Sequence, residues 1–196
     1  MKSFVVGAVA LVLSYASANA NALHLNPAQL GATSNMQTFG PTSIPIGYYE
    51  FCKRYPDRCQ SRTEAVSLDL TRARWNQMVE INNRVNVSVQ PLTDKELFGV
   101  EERWDYPDTA GDCEDYALMK RKILNEAGFP LGSLLMTVGR DAKGGGHAVL
   151  TVVTDRGDFV LDNVEQKILL WREAEIYFLK RQAQTDPNTW ISLVRG

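Results

Sequence analysis

Gly111-Asp112-Cys113-Glu114-Asp115-Tyr116-Ala117 is the stretch on which the reading of this chain turns. It sets a cysteine where a helix is expected to begin. The helix is predicted over 113–126: Ala117, Leu118, Lys120, Arg121, Ile123 and Leu124 are good formers, and Gly128 with Pro130 stops it. The backbone N–H groups and the dipole of a helix N-terminus favour a thiolate. Downstream stand Gly146-His147-Ala148-Val149-Leu150 and Val160-Leu161-Asp162-Asn163. His147 follows Cys113 by 34 residues, and Asp162 follows His147 by 15. Those gaps suit a helix followed by adjacent antiparallel strands. A thiol, an imidazole and a carboxylate in that order can serve as nucleophile, base and orienter of the base.

Each of these residues also has a plainer use. Cys113 could be a small buried apolar residue, but Asp112, Glu114 and Asp115 beside it argue against an apolar site. The same three acids would raise the thiol pKa, so something must neutralise or redirect them. A lone histidine on a strand is more often structural than catalytic. His147, however, follows a run of glycines and opens a β-branched strand. Asp162 could simply begin a turn with Asn163, and Asn163 is the alternative orienter. Trp104 and Tyr116 lie close to Cys113 in sequence, and either could line a cleft. For Tyr116 core packing is the better reading.

The rest of the chain reads as α+β. Leu70, Trp75, Met78, Val79, Asn82 and Val85 recur at spacings of three and four, which predicts a helix over 68–85. Residues 93–99 form a short turn or helical piece, and 104–109 a loop. Strands are expected over 134–139, 147–154 and 159–161, with a hairpin turn at Asp155-Arg156-Gly157-Asp158. Segments 168–171 and 189–194 are weaker strands, and 174–182 fits helix or strand. The sum is a nucleophile-bearing helix packed on an antiparallel sheet.

The 196 residues suffice for one domain with a real core, and 44% apolar with 22% charged residues is ordinary for a globular protein. The net charge of −2 carries no basic nucleic-acid footprint. Lys2, the apolar run 4–13 and the small residues Ala18, Ala20 and Ala22 read as a secretory signal peptide over 1–22, cut near Ala20 or Ala22. Residues 23–47 hold no Asp, Glu, Lys or Arg and read as an extended arm, with the domain proper over 48–196. An exported chain can keep disulfides. With three cysteines, one must stay unpaired in a monomer, which is the expected state. Cys52 and Cys59 lie close together around Pro56 and are the natural pair, leaving Cys113 as the odd thiol. Two free thiols are the alternative.

The motifs around Cys113, His147 and Asp162 resemble those of the bacterial transglutaminase-like cysteine proteinases, whose Gly-Asp-Cys-Glu-Asp-Tyr, His-Ala-Val-Leu and Leu-Asp-Asn segments they match. The resemblance runs from about Tyr48 to the C-terminus. It implies a papain- or transglutaminase-like fold and a catalytic Cys113, His147 and Asp162. The best-understood members of that family are periplasmic, calcium-dependent proteases that clip large surface adhesins and so control biofilm attachment. The resemblance therefore implies Ca²⁺ held by Asp112 and Glu114, with Asp115 as a further ligand. Helix capping is the alternative use of these acids. A protein substrate, such as an adhesin, and a membrane receptor that sequesters the protease are the implied partners. The same triad would equally serve an acyl-transfer enzyme such as a transglutaminase or amidase. A chain that kept only the fold would be a binding module.

Overall fold

The computed structural model describes residues 35–62 and 64–195. The expected signal peptide, its cleavage point and the first part of the expected arm, with His24, lie outside the described residues. Among the described residues, no helix is long and apolar enough to cross a membrane.

Among the described residues, seven strands form one antiparallel sheet. They are β1 (Gly40–Thr42), β4 (Leu134–Arg140), β5 (Gly146–Thr154), β6 (Gly157–Leu161), β7 (Leu169–Leu170), β8 (Tyr177–Gln182) and β9 (Trp190–Ser192). Their order across the sheet is β1-β9-β8-β4-β5-β6-β7. Four helices accompany it: α1 (Ile46–Arg54), α2 (Arg72–Ser88), α3 (Asp94–Phe98) and α4 (Cys113–Glu126). A two-residue parallel pairing of β2 (Gln90–Pro91) with β3 (Ala110–Gly111) closes the loop that leads into α4.

The centre of the fold is α4 against β5. Ala148, Leu150 and Val152 alternate along β5 and join one core with Ala117, Leu118 and Leu124 of α4 and with Met78 and Val85 of α2. Val149, on the opposite face, joins a smaller cluster with Val160, Phe178 and Met36. Because both faces of β5 are covered, its register is fixed: a slip of one residue would exchange the two cores. That register sets Gly139 of β4 opposite His147. At Gly139 the β4–β8 pairing carries a bulge, and a Cβ there would lie 2.6 Å from the Tyr177 carbonyl oxygen. The close approach of β8 behind the histidine strand therefore requires glycine.

Several local expectations change in the folded chain. The helix expected from Leu68 begins at Arg72, because Thr71 caps it by accepting from the Arg74 N–H. Leu68 instead runs beside the end of β5, its N–H on the Val153 carbonyl at 2.9 Å. Segment 174–182 resolves as strand β8. Helix α1 has no counterpart in the sequence reading. Its Tyr48 and Phe51 are fully buried, and Tyr48 packs edge-on to Trp104 and Trp190 with ring centroids 5.6 Å apart in each case. Trp104 is thus a core residue, and Tyr116 is likewise buried, its hydroxyl donating to the Val89 carbonyl.

The described part of the expected arm is bound to the domain. Asp158, fully buried, accepts from the Met36 N–H at 2.8 Å and from Asn35 Nδ2 at 2.7 Å, and pairs with Arg181 Nη1 at 2.7 Å. β1 then adds to the sheet edge along β9. Cys52, on α1, is joined to Cys59 in a disulfide with Cα atoms 5.6 Å apart. Closing so short a loop stabilises by about 2–3 kcal/mol in the chain-entropy model. The Cys52→Ser/Cys59→Ser double variant is therefore expected to lose that much in urea unfolding while Cys113 keeps its reactivity toward iodoacetamide. An unchanged unfolding midpoint would show that the bridge does not form.

Candidate active site

The structure gathers Cys113, His147 and Asp162 where the N-terminus of α4 meets the start of β5. Cys113 is the first residue of α4. Its Sγ accepts from the Ala148 N–H at 3.3 Å, so the thiol is anchored to the residue next to His147. His147 Nε2 lies 2.9 Å from Asp162 Oδ1, just beyond the end of β6. The same Oδ1 accepts from the Val164 N–H at 3.0 Å. Burial alone would raise the Asp162 pKa. The hydrogen bond and charge of His147, the Val164 N–H and the charge of Lys120 outweigh it and hold the carboxyl below its ordinary value. An ionised carboxylate only accepts, so Nε2 carries the ring proton and Nδ1 is left as the basic nitrogen. Asn163, the alternative orienter, has no such contact with the ring. Beside His147 and Asp162 opens a cleft of about 500 Å³, with Val160, Val164, Glu165 and Ile176 also in its walls.

A group of acids crowds the other side of the thiol. Asp94, Asp112 and Glu114 each bring one carboxylate oxygen to within 4.8 Å of the others. Asp112 and Glu114 were legible in the sequence. Asp94 was not, because in the chain it is simply an acid in the first turn of a helix capped by Thr93 and Glu96. Asp115 is not in the group. Its Oδ1 accepts from the Asp105 N–H at 2.8 Å, and its carboxyl packs against Gly111, where a Cβ would lie 2.6 Å from Asp115 Oδ2. Asp112, although at the N-cap position of α4, makes no side-chain capping bond. One oxygen of Asp94 and one of Asp112 are buried without a hydrogen-bond partner. Buried carboxylate oxygens aimed at one another and left without donors fit a bound cation.

These charges act on the thiol and on each other. Burial pushes the Cys113 pKa far up, and the charge of Glu114 and the Sγ–H bond to Glu114 Oε2, at 3.1 Å, push it further; the Ala148 N–H opposes them. Burial and the Asp112 charge raise Glu114 to about 9. Burial, offset in part by the Asp105 N–H, raises Asp115 to about 8, and burial with the Asp112 charge raises Asp94 to about 6. One further charged group was missed in the sequence, where it read only as a good helix former. Lys120, on α4, is fully buried, and its ammonium donates to the Asp162 carbonyl at 2.8 Å; burial lowers its pKa to about 7.

A helix-borne thiol beside a strand whose histidine meets a carboxylate is the arrangement of papain- and transglutaminase-like cysteine peptidases, and this chain is one of that class. Residues 38–196 match the model of the bacterial transglutaminase-like cysteine proteinases, BTLCP, and the chain belongs to that family. Among solved structures, LapG of Legionella pneumophila is similar, with a TM-score of 0.50 and 24% identity over 60% of this chain and 68% of that one. EGTA-treated LapG of the same organism gives 0.49 and 26% over 55% and 62%. Its calcium-bound form gives 0.49 and 22% over 75% and 89%. Comparison with the curated proteins found no match.

The raised carboxyls around Cys113, Asp115 included, have a consequence for stability. Their folded pKa values lie above the unfolded carboxylate values of about 4, so their contribution is complete below that pH. It is lost as pH rises through about 6 for Asp94, 8 for Asp115 and 9 for Glu114. Lys120 acts in the opposite sense, since raising the pH through about 7 relieves its buried charge, but it is one group against several. In chelator, the melting temperature is expected to fall from pH 5 to pH 9. A flat or rising profile would show that these carboxyls are not buried together.

Proposed function

We propose that this chain is an exported cysteine endopeptidase in which Cys113, His147 and Asp162 form the catalytic triad. The observation that carries the reading is the His147 Nε2–Asp162 Oδ1 contact at 2.9 Å beside the helix-borne Cys113. Asp162 fixes the ring and its tautomer. Nδ1 of His147 takes the Cys113 proton, and Sγ attacks the carbonyl carbon of the scissile peptide. Backbone N–H groups at the start of α4 stabilise the oxyanion. His147 returns the proton to the leaving amine, and water then resolves the acyl-enzyme with His147 as base. The cleft beside His147 and Asp162 receives the peptide. The Cys52–Cys59 disulfide supports export, because such bridges persist in oxidising compartments. The family resemblance supports a surface or periplasmic protein, such as a large adhesin, as substrate, and a membrane receptor that sequesters the enzyme. Cys113→Ser should fold and lose all cleavage, because a hydroxyl is a far weaker nucleophile than a thiolate. Terminal-amine labelling of surface proteins incubated with parent and variant checks this. A cut made equally by Cys113→Ser would remove the triad.

Asp94, Asp112 and Glu114 would hold Ca²⁺ in this reading. When bound, the ion supplies positive charge that offsets the carboxylates keeping the proton on Cys113. Calcium at about 100 times its Kd should stabilise the chain by roughly 2.7 kcal/mol. It should also remove the parts of the pH-dependent loss of stability that come from Asp94 and Glu114, leaving that of Asp115. Asp94→Ala, Asp112→Ala and Glu114→Ala should each remove the increment. Calorimetry showing no heat of calcium binding to the parent would return these acids to a purely structural role.

A further inference from the structure

Lys120 stands seven residues after Cys113, about two turns along α4. Its ammonium is fully buried, forms no ion pair among the described residues and has one hydrogen-bond acceptor, the main-chain carbonyl of Asp162 at 2.8 Å. That carbonyl also accepts from Asn86 Nδ2 of α2 at 2.9 Å. The ring of Tyr116 also lies near the ammonium, its centroid 6.0 Å from Nζ. Two helices thus grip the main chain of Asp162, while Val164 N–H and His147 hold its carboxylate. Burying an ammonium without a carboxylate in direct contact costs several kcal/mol, and a methionine would fill nearly the same space without that cost. Packing therefore does not account for a lysine here. Its contacts do.

We propose that Lys120, assisted by Asn86, is a positioning residue that fixes the main chain of Asp162, so that the carboxylate holds the His147 ring in the orientation that serves Cys113. The inference rests on the triad reading above. It ties the nucleophile and the orienting carboxylate to one rigid element. α4 carries Cys113 at its start, and two turns on it carries the cation that sets Asp162. The Coulomb attraction of the ammonium acts on the Asp162 carboxylate in the same direction, keeping it ionised and acceptor-only.

The chain has two histidines, so ring signals of ¹⁵N-labelled protein can be assigned with a His24→Gln variant. In the parent, His147 is expected to show a slowly exchanging, downfield Nε2–H resonance. Lys120→Met should stay folded, with a melting temperature no lower than the parent's, yet lose that resonance. Iodoacetamide should then alkylate Cys113 roughly ten-fold more slowly, as expected when a reacting group is displaced by a fraction of an ångström. Asn86→Ala, at a half-exposed position, should shift both readouts in the same direction by less. A folded Lys120→Met chain that keeps the ring resonance overturns the proposal. If Lys120→Met does not fold, an Asn86→Ala chain with the parent's resonance and rate overturns it. Asp162→Ala separates this inference from the triad reading: if that variant keeps the resonance, the triad itself fails. If it loses the resonance while Lys120→Met keeps it, only the role of Lys120 falls.

Discussion

Buried negative charge at the start of α4 is the constraint around which the site is arranged. Asp94, Asp112 and Glu114 converge on one point, and two of their oxygens have no donor. Carboxylates so placed cannot all ionise in a dry environment without a compensating charge. They also sit against the thiol, whose proton is directed at Glu114 Oε2. The benefit of a helix N-terminus to a thiolate, typically less than about 1 kcal/mol at exposed sites and up to about 2 when partly buried, is too small to overcome that crowd alone. Helix position by itself therefore does not make Cys113 reactive. In the proposed reading, what happens at the acid cluster decides it.

The fold holds that cluster together from elements distant in sequence. Asp94 comes from α3, whose capping box of Thr93 and Glu96 fixes its first turn, and its carboxylate receives the Arg103 N–H. The short parallel pairing of β2 with β3 carries the chain into Gly111, which must lack a Cβ because Asp115 packs against it. Asp115 in turn receives the Asp105 N–H and ties the loop before β3 to α4. Asp115, outside the group of Asp94, Asp112 and Glu114, thus helps to hold that group in place. On the other side, β5 is locked by two cores, and the bulge at Gly139 lets β8 approach behind the histidine strand. Cys113, His147 and Asp162 lie at the seam between these two constructions.

This seam was largely legible in the sequence. α4 spans 113–126 as the capping and stop signals indicate, and β4 and β5 fall where the β-branched runs put them, while β6 starts at Gly157, so that Gly157 and Asp158, expected in the turn, belong to the strand. Of the three residues that the sequence singled out, His147 lies against Asp162, and Cys113 Sγ lies on the N–H of Ala148, the residue after His147. The unread parts have physical reasons. Asp94 and Lys120 carry no local signature, since their roles arise from tertiary burial. An acid in a first helical turn and a lysine in a helix interior are the commonest places for those residues. Helix α1 is nine residues between two prolines, and its Tyr48 and Phe51 gain meaning only against Trp104 and Trp190. The arm lacks charge, which reads as loop. Its described part is held by Asp158, a partner more than a hundred residues away.

Among the described residues no cation forms an ion pair with the acid cluster, although the charge of Arg103 reaches Asp94, and this bears on how the enzyme is controlled. Arg54 and Arg103 both pair with Asp105, at 3.6 and 3.2 Å, and the Arg103 side chain forms no ion pair with Asp94. Lys120 is on the same helix as Cys113, but its ammonium is turned to the Asp162 carbonyl. A protein that simply needed to neutralise Glu114 could have done so with an arginine in a bidentate pair, fixed and always charged. Here the chain instead leaves three carboxylates facing one another beside its nucleophile, with their pKa values raised. Compensation must then come from protons or from a mobile cation. Protons would leave the thiol protonated as well, whereas a cation would favour ionisation of both the acids and the thiol. In the proposed reading, the acid cluster therefore makes peptidase activity conditional on the divalent cation concentration outside the cell membrane, while the Lys120–Asp162–His147 side of the site stays set regardless of it.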